Sequence, residues 1–224
     1  MYVTLMRYTP DPDEICGFAA ALCTNAKNEQ SALKGALSKG HASVSEHASF
    51  SFYVDGVSRA LLAQLTRHRI ASFSVQSQRY VSMDGFDYVI PPSICELGDD
   101  ARYEFENQMA TINGWYKSWQ DRLLAAGRKK QEANEDARFV LPNAAATRLL
   151  VTMNARELDG FFALRTCNRA QWEIRELADK MLAECLKKAP TIFQNSGCAC
   201  MIGKHCPEGK MCCGHPRSKE DVFK

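Results

Sequence analysis

The sequence lacks any apolar run that approaches the roughly 20 residues a helix needs to cross a membrane. It also lacks the apolar centre of a secretory signal peptide, because Asp11, Asp13 and Glu14 stand where that centre would lie. We therefore expect a cytoplasmic protein that is neither exported nor held in a membrane.

Net charge is nearly absent, with a formal value of +2 over 224 residues. A molecule-wide positive field of the kind that attracts nucleic acid is therefore not indicated, and we expect no nucleic-acid partner. Internal repeats are missing, as are low-complexity linkers before the C-terminal tail. Because 46% of the residues are apolar, a chain of this length can bury a full core, so we expect one domain.

Strand and helix patterns follow one another irregularly along the chain. Alternating or β-branched runs predict strands at residues 2–9, 49–54 and 148–153. Apolar residues at helical spacing predict helices over residues 14–23, 58–65, 105–123 and 170–188, and another from residue 155. Asp55-Gly56 is expected to end the second strand, and Ser58 to cap the helix that follows. These elements predict an α+β fold, with a central mostly antiparallel sheet flanked by long helices.

A short basic segment carries the strongest chemical signal. Residues 67–80 read Arg-His-Arg-Ile-Ala-Ser-Phe-Ser-Val-Gln-Ser-Gln-Arg-Tyr. Three arginines in so short a stretch would be costly to bury unless an anion compensated them, and arginine forks bind phosphate oxygens well. His68 lies between two cations, so we expect it to stay neutral and to suit a flat heterocycle. The alternative is a solvated basic helix end, favoured by the helix dipole.

The spacing within this segment resembles the signature of the flavin-dependent thymidylate synthases. The shared pattern is Arg-His-Arg, two residues, Ser, four residues, Ser, one residue and then Arg-Tyr. The family usually has Asn at the position of Ser74, commonly an acidic residue at Val75 and commonly Gly at Gln78.

Further segments on both sides extend the resemblance from about residue 41 to residue 188. Upstream, Gly40-His41-Ala42-Ser43 and Glu46-His47 resemble the Gly-His and Glu-His elements of the family. Downstream, residues 137–142, Asn154-Ala155-Arg156, Arg165 and residues 170–174 continue the match. The sequence departs from relatives at Gly160, where they have Asn, and at Arg169, where His is common.

The resemblance implies reductive methylation of dUMP to dTMP. Methylenetetrahydrofolate would be the carbon donor, and FAD reduced by NADPH would be the hydride carrier, so the cofactors would supply the difficult chemistry. The small-molecule partners are thus dUMP and folate. A homotetramer whose active sites are shared among subunits is also implied.

The resemblance assigns roles residue by residue. Arg165 is the expected catalytic residue, stabilising negative charge on the pyrimidine as N3 loses its proton. The dUMP-binding residues would be Gln64, Leu65, Thr66, Arg67, Val75, Gln76, Ser77, Gln78, Arg79, Arg138 and Arg165. The FAD-binding residues would be Ser43, Glu46, Arg67, His68, Arg69, Asn154, Ala155, Arg156 and Gly160. Two of these residues also have ordinary structural interpretations, Asn154 as a helix cap and Ser77 as a turn residue.

The ten cysteines are unevenly placed. Five are scattered and are expected to be ordinary buried thiols: Cys16, Cys23, Cys95, Cys167 and Cys185. The other five crowd into the tail beside two histidines. Four of these, Cys198, Cys200, Cys206 and Cys212, are candidate zinc ligands, although their spacing is not that of a standard zinc finger. A redox-active cluster or an unligated tail are the alternatives. We therefore expect a catalytic domain over residues 1–190 and a Cys/His-rich tail over residues 191–224.

Two rival functions are compatible with the residues. One is a non-enzymatic RNA-binding module that uses the basic segment from Arg59 to Arg79, although interleaved exposed aromatic residues are missing there. The other is a different flavin-dependent nucleotide-modifying enzyme on the same scaffold. A flavin absorption band would exclude the first, and a dTMP assay would separate the second.

Overall fold

The structure is a computed structural model that describes residues 1–223. Its residue contacts divide the chain into two compact units. Unit 1 comprises Met1–Val54, Gln64–Phe73 and the chain from Leu150 onward. Unit 2 comprises Asp55–Ala63 and Ser74–Leu149.

One four-stranded sheet has strands that run through both units. The strands are β1 (Tyr2–Tyr8), β2 (Ser49–Ser58), β3 (Ser72–Val75) and β4 (Ala146–Asn154), in the order β1-β2-β4-β3. Ala155 N–H donates to Ala48 O near one end of the β2–β4 pair, and Ala60 N–H donates to Asn143 O beyond the other. Residue numbers therefore rise on one strand as they fall on the other, which is antiparallel pairing. The predicted α+β class with a mostly antiparallel sheet is confirmed.

Unit 1 contains most of the helices and the C-terminal tail. Its α-helices are α1 (Pro12–Thr24), α2 (Glu29–Ser38), α7 (Ala155–Arg165), α8 (Trp172–Lys188) and α9 (Pro190–Phe193). Short 3₁₀ helices lie at Ala42–His47, Ala199–Ile202, Gly209–Met211 and Lys219–Phe223. The helix predicted over residues 170–188 begins two residues later because Gln171 is its cap, accepting hydrogen bonds from Glu173 N and Ile174 N.

A chain of aromatic contacts runs through the core of unit 1. Phe50 of β2 contacts Phe193 of α9 with ring centroids 5.5 Å apart, and Phe193 contacts Phe162 of α7 at 5.9 Å. Phe162 adjoins Phe161 at 5.7 Å, and all four rings are fully buried. Such edge-on pairs pack more specifically than aliphatic side chains do, so they hold α7 in a defined position against the sheet.

Unit 2 contains the long helix predicted from its apolar periodicity. Its helices are α4 (Pro92–Cys95), α5 (Asp99–Ala125) and α6 (Lys130–Ala137), with a 3₁₀ turn at Arg138–Val140. Gly127 closes α5 with φ 84°, as expected for a glycine after a helix end. The helix α3 (Arg59–Leu65) begins in this unit, and Ser58 Oγ accepts from Leu61 N at 3.0 Å, which confirms the predicted cap.

Polar side chains are buried in unit 2 beside the apolar core. The Tyr116 hydroxyl accepts from Met83 N–H at 3.1 Å and lies 3.4 Å from Asn134 Oδ1. Gln120 Nε2 donates to Asn134 Oδ1 at 2.5 Å, and Asn134 Nδ2 donates to the carbonyl of Arg79 at 3.1 Å. Tyr116, Gln120 and Asn134 therefore satisfy one another, and the network connects α5 and α6 to the chain at Arg79.

Three sequence expectations were wrong. The strand β2 does not end at Asp55-Gly56, because Gly56 takes φ 69° and the pairing continues with Arg59 N–H donating to Ala145 O. No strand was predicted within the signature segment, but Ser72–Val75 pairs in the sheet as β3. Of the five scattered cysteines, Cys23 and Cys95 are exposed and Cys167 is partly exposed. Cys23 lies on nearly the same face of α1 as the buried Cys16. It is in the last turn of the helix, however, where less of the core covers it.

Among residues 1–223 no helix has the length and apolar content to span a bilayer.

Removal of the Tyr116 hydroxyl tests the buried network. Tyr116→Phe leaves Met83 N–H without its buried partner, so the free energy of unfolding should fall by about 1–3 kcal/mol. Urea titration followed by circular dichroism measures this change. Tyr103→Phe is the control, because Tyr103 lies on the same helix and is 67% exposed. Equal effects of the two substitutions would contradict the role given to the hydroxyl.

Candidate active site

The junction of β4 and α7 places the predicted catalytic arginine. Asn154 ends β4, and its Oδ1 accepts from Glu157 N–H at 2.9 Å, so Asn154 is the N-cap of α7. Ala155, the first residue of the helix, is buried. The helix then runs for 11 residues and ends at Arg165. Capping at one end and the aromatic contacts along the helix thus determine where Arg165 lies.

Arg165 and His68 are joined by a direct hydrogen bond. Arg165 Nε donates to His68 Nε2 at 3.2 Å. The His68 ring also meets Phe161 edge-on, with centroids 5.0 Å apart and planes at 83°. Because Nε2 accepts this bond, the imidazole must be neutral and carry its hydrogen on Nδ1.

The electrostatics agree with a neutral His68. Burial lowers the pKa of His68 below its ordinary value of 6.5, and the Arg165 cation lowers it further. The direction is the one expected from the sequence, but the cause is burial and Arg165, not the flanking Arg67 and Arg69. Burial and the Arg67 cation lower the pKa of Arg165 in turn. These two guanidinium groups are therefore close enough to repel each other.

Arg67, Arg69 and Arg165 have no carboxylate partners within the part of the chain that the structure describes. None of the ion pairs formed within residues 1–223 involves Arg67, Arg69 or Arg165. Arg67 and Arg69 are exposed, and Arg165 is partly buried. Uncompensated cations held near one another raise the affinity for an anion, since an anion removes their mutual repulsion. We call Arg67, His68, Arg69 and Arg165 the cationic cluster.

Other predicted flavin-binding residues also lie in unit 1. Glu46 and Arg156, both exposed, form an ion pair with each other. Ser43 and His41 line a cavity of about 460 Å³ with residues of α1 and α2. Gly160 lies on the exposed side of α7, and a Cβ there would meet nothing within 4 Å. The space that the asparagine of relatives would need is therefore open.

A second group of predicted residues lies in unit 2. Ser77 Oγ accepts from the backbone N–H groups of Arg79 at 3.2 Å and Tyr80 at 3.4 Å, so its turn role is present. The Arg79 guanidinium pairs with Glu135 at 2.5 Å, both side chains being about half exposed. Arg138 Nε donates to the carbonyl of Glu135 at 3.2 Å. Arg79 and Arg138 are thus both held next to Glu135.

Arg59 was missed by the sequence analysis as a member of this group. Its Nη2 donates to the carbonyl of Gln76 at 3.0 Å. Burial lowers the pKa of Arg59, and the Arg138 cation lowers it further. Its buried Nε has no hydrogen-bond partner among residues 1–223. In the sequence, Arg59 follows directly after the capping residue Ser58. That position indicates the start of a helix but does not indicate a contact with Gln76 or Arg138.

The remaining predicted dUMP residues occupy varied positions. Leu65 is fully buried at the end of α3, Gln64 is partly buried and Thr66 is exposed. Val75 and Gln78 are both partly exposed. Gln76 lines a cavity of about 450 Å³ in unit 2, but that cavity also contains Asp55, Asp84 and Asp87. Arg148 also lines the cavity, but three carboxylates outnumber this one cation and repel phosphate, so the cavity does not suit the phosphate of a nucleotide.

The cysteines predicted as zinc ligands meet in pairs. Cys198 Sγ lies 3.5 Å from Cys200 Sγ, and Cys206 is hydrogen-bonded to Cys212. Burial raises the pKa of the Cys198 thiol to about 11. No group of three or more His, Cys, Asp or Glu side chains within residues 1–223 is placed to hold a metal ion. The tail spacing supplies enough ligands, but the fold does not collect them into a tetrahedral set.

Comparison with known proteins gives one consistent family. The family model described as thymidylate synthase complementing protein matches residues 4–191. A flavin-dependent thymidylate synthase of Geobacter sulfurreducens is 45% identical, over 100% of this chain and 98% of the relative. One of Clostridium tetani is 42% identical, over 99% of this chain and 96% of the relative.

A solved structure is similar in fold. It is a crystal structure of a flavin-dependent thymidylate synthase from Helicobacter pylori in complex with FAD and dUMP. The TM-score is 0.63 at 25% identity, and the match covers 88% of this chain and 100% of that chain.

Titration of His68 tests the electrostatics of the cationic cluster. In the free protein, the imidazole should titrate below its ordinary pKa of 6.5. Arg165→Gln should raise the pKa of His68 without restoring it fully, because burial is the larger cause. Nuclear magnetic resonance of the imidazole protons against pH measures this, with exposed Arg102→Gln as control. A His68 pKa unchanged by Arg165→Gln would contradict the contact.

The lowered pKa of His68 also determines how the stability of the fold depends on pH. His68 binds its proton more weakly in the folded state than in the unfolded state. The stabilisation of the fold by neutral His68 is therefore fully present above pH 6.5, and it is lost as the pH falls through the lower pKa of the folded state.

Proposed function

The chain belongs to the flavin-dependent thymidylate synthases, and we propose that it converts dUMP to dTMP with methylenetetrahydrofolate as carbon donor and NADPH as reductant. It is an enzyme of nucleotide biosynthesis, and FAD is its cofactor. Bound FAD supplies the hydride that completes the methyl group. The residues of the chain bind, orient and polarise the reactants, and the following assignments concern those roles.

The observation that carries this function is the uncompensated cationic cluster. Arg165 is partly buried beside Arg67, and no carboxylate of residues 1–223 pairs with either one. Such an arrangement costs folding free energy unless an anion binds there. Substrate, cofactor and folate are all anionic, which explains an arginine-rich site without an obvious nucleophile.

The donor set of unit 1 suits FAD. A diphosphate needs cationic and hydroxyl donors, which Arg67, Arg69 and Ser43 supply, and all three are exposed to an incoming ligand. Neutral His68 can hydrogen-bond to a flat ring or stack on it without adding charge. Glu46 and Arg156, which are also in unit 1, hold each other in place by their ion pair. We therefore keep the flavin assignment for these residues, together with Asn154, Ala155 and Gly160.

The donor set of unit 2 suits the dUMP phosphate. The Arg79 guanidinium is half exposed, and Arg138 is held next to the same Glu135. A phosphate would compete with the Glu135 carboxylate for the Arg79 fork, or share it. Ser77 adds a hydroxyl on the same turn. We assign these residues to the nucleotide, with Val75, Gln76 and Gln78 around them and Gln64, Leu65 and Thr66 before the signature.

Arg165 is assigned to the chemical step. Its guanidinium is held by His68 at one nitrogen, which leaves the Nη groups free to donate to a pyrimidine carbonyl. As N3 of the uracil loses its proton, negative charge spreads onto those carbonyl oxygens. A fixed, partly buried cation stabilises that charge more than water does.

A shared site in a homotetramer is the assembly we propose. Three large aromatic side chains on α5 are exposed in the single chain: Tyr103 at 67%, Trp115 at 57% and Trp119 at 45%. Exposed aromatic residues along one helix are typical of a subunit interface. In such an assembly several subunits contribute to each site. We also propose a cytoplasmic location and the division into residues 1–190, which catalyse, and the tail from residue 191.

Arg165→Ala tests the catalytic assignment. Loss of the cation should reduce turnover about 10²- to 10³-fold, as removal of one preorganised charge-stabilising donor typically does. The flavin absorption band should remain, because the other flavin-binding residues are intact. The assay supplies dUMP, NADPH and methylenetetrahydrofolate and measures dTMP, with Arg102→Ala as control. Full dTMP synthesis by Arg165→Ala would refute the assignment.

Arg79→Ala tests the phosphate assignment. The KM for dUMP should rise about 10- to 100-fold, the value of one or two charge-assisted hydrogen bonds. Deoxyuridine lacks the phosphate, so the variant and the unmodified enzyme should use it equally poorly. A similar loss with both substrates would show that Arg79 acts on folding or on the base, and not on the phosphate.

A further inference from the structure

A cavity in unit 1 is lined by cysteines and by two arginines. Its volume is about 420 Å³. The polar and thiol groups that line it are Arg165, Cys167, Arg169, Cys198, Cys200, Cys206 and Glu208, and Glu208 forms an ion pair with Arg169. The proposed chemistry uses Arg165 but gives no role to the thiols, so their purpose is a separate question.

Two of these thiols are already close to bonding distance. Cys198 Sγ and Cys200 Sγ lie 3.5 Å apart and are separated by one residue. A disulfide bond is about 2.05 Å long, so the sulfurs need to approach by about 1.5 Å. Both residues line the cavity, but Cys198 is only 3% exposed whereas Cys200 is partly exposed. The pair therefore has one accessible sulfur and one covered sulfur.

Both residues are connected to the chain directly after Arg165. The backbone N–H of Cys198 donates to Thr166 Oγ1 at 2.8 Å, and Thr166 is fully buried. The backbone N–H of Arg217 donates to Cys200 Sγ at 3.3 Å.

The Arg217 side chain completes the connection. Its Nη1 donates to the carbonyl of Thr166 at 2.6 Å. The guanidinium also forms a two-pronged ion pair with Asp179 of α8, with distances of 3.0 and 2.9 Å. Such a bidentate pair holds Arg217 rigidly. Cys198 thus contacts Thr166 directly through its backbone, and Cys200 is connected to Thr166 through Arg217.

We propose that Cys198 and Cys200 form a thiol–disulfide exchange site that reacts with low-molecular-weight disulfides. The disulfide state shifts residues 166–170 and thereby lowers turnover. The effect on turnover rests on the proposed function of Arg165, whereas the sulfur chemistry does not. A disulfide between residues so near in sequence is strained, and strained disulfides are the readily reduced ones that serve regulation.

The exchange balances as two successive thiol attacks. The Cys200 sulfur, as thiolate, attacks one sulfur of a low-molecular-weight disulfide, whose S–S bond breaks and releases one thiolate that takes up a proton. The Cys198 thiol then loses its proton, and its sulfur attacks Cys200 Sγ and releases the second small thiol. Both cysteines are oxidised by two electrons in total, and the small disulfide is reduced to two thiols.

Trypsin separates the tail cysteines cleanly. Cleavage after Lys188, Lys204, Lys210 and Arg217 leaves Cys198 and Cys200 on residues 189–204, Cys206 on residues 205–210, and Cys212 with Cys213 on residues 211–217. Reduced holoenzyme is equilibrated with glutathione buffers of increasing oxidised fraction, alkylated and digested. Residues 189–204 should lose both alkylation sites and about 2 Da, the mass of two hydrogens lost on disulfide formation.

Variants and alternative products make this result decisive. Cys200→Ser should prevent the loss, whereas Cys95→Ser, in unit 2, should behave as the unmodified enzyme does. The exchange site is refuted by peptide 189–204 that stays fully alkylated or stops as a glutathione adduct on Cys200. The exchange site is also refuted if protein purified without chelator contains one zinc ion per chain and that zinc protects both thiols from alkylation.

The connection to Arg165 has its own readouts. Oxidation should speed amide hydrogen exchange at residues 166–170 several-fold and lower turnover several-fold, and dithiothreitol should reverse both changes. Cys200→Ser should show neither change. A disulfide that alters neither quantity refutes the connection, and faster exchange with unchanged turnover refutes the effect of the disulfide on turnover. Loss of dTMP synthesis in Arg165→Ala tests the role of Arg165 independently of either outcome.

Discussion

The hydrogen bond from Arg165 to His68 is the contact on which the candidate site depends. It requires a neutral imidazole that accepts at Nε2, and burial against Phe161 supplies that condition by lowering the pKa of His68. It also requires α7 to end at the right place. The Asn154 cap starts the helix and the aromatic contacts of Phe162 and Phe193 hold it, so the core of unit 1 and the site are one arrangement.

The two units present their arginines in different electrostatic states. In unit 1, Arg67, Arg69 and Arg165 have no carboxylate partner within the described chain, and burial and the Arg67 cation lower the pKa of Arg165. In unit 2, Arg79 is paired with Glu135. An anion that binds the first group gains free energy by relieving repulsion, whereas one that binds the second must compete with a carboxylate.

The tail is part of the architecture around the site. The bidentate pair of Arg217 and Asp179 is mostly buried, with 8% and 16% of the side chains exposed, and Arg217 also holds the carbonyl of Thr166. Arg169, in the segment that joins α7 to α8, forms an ion pair with Glu208 of the tail. This is a second contact between the tail and that segment. The departure from the family at Arg169 thus accompanies a tail carboxylate that can pair with arginine.

Local patterns in the sequence determined the strands β1, β2 and β4, the helices α1, α3, α5, α7 and α8, the caps at Ser58 and Asn154, and the family, because periodicity, capping and spaced motifs are written in consecutive residues. They could not show that Ser72–Val75 joins the sheet, that Arg59 lies beside Arg138, or that Arg165 rather than Arg67 and Arg69 acts on His68. They also could not show that the tail cysteines meet in pairs. Those facts depend on which distant residues pack together and how deeply they are buried. Burial and distance determine strand pairing, pKa values and contacts between sulfurs, and both exist only once the chain has folded.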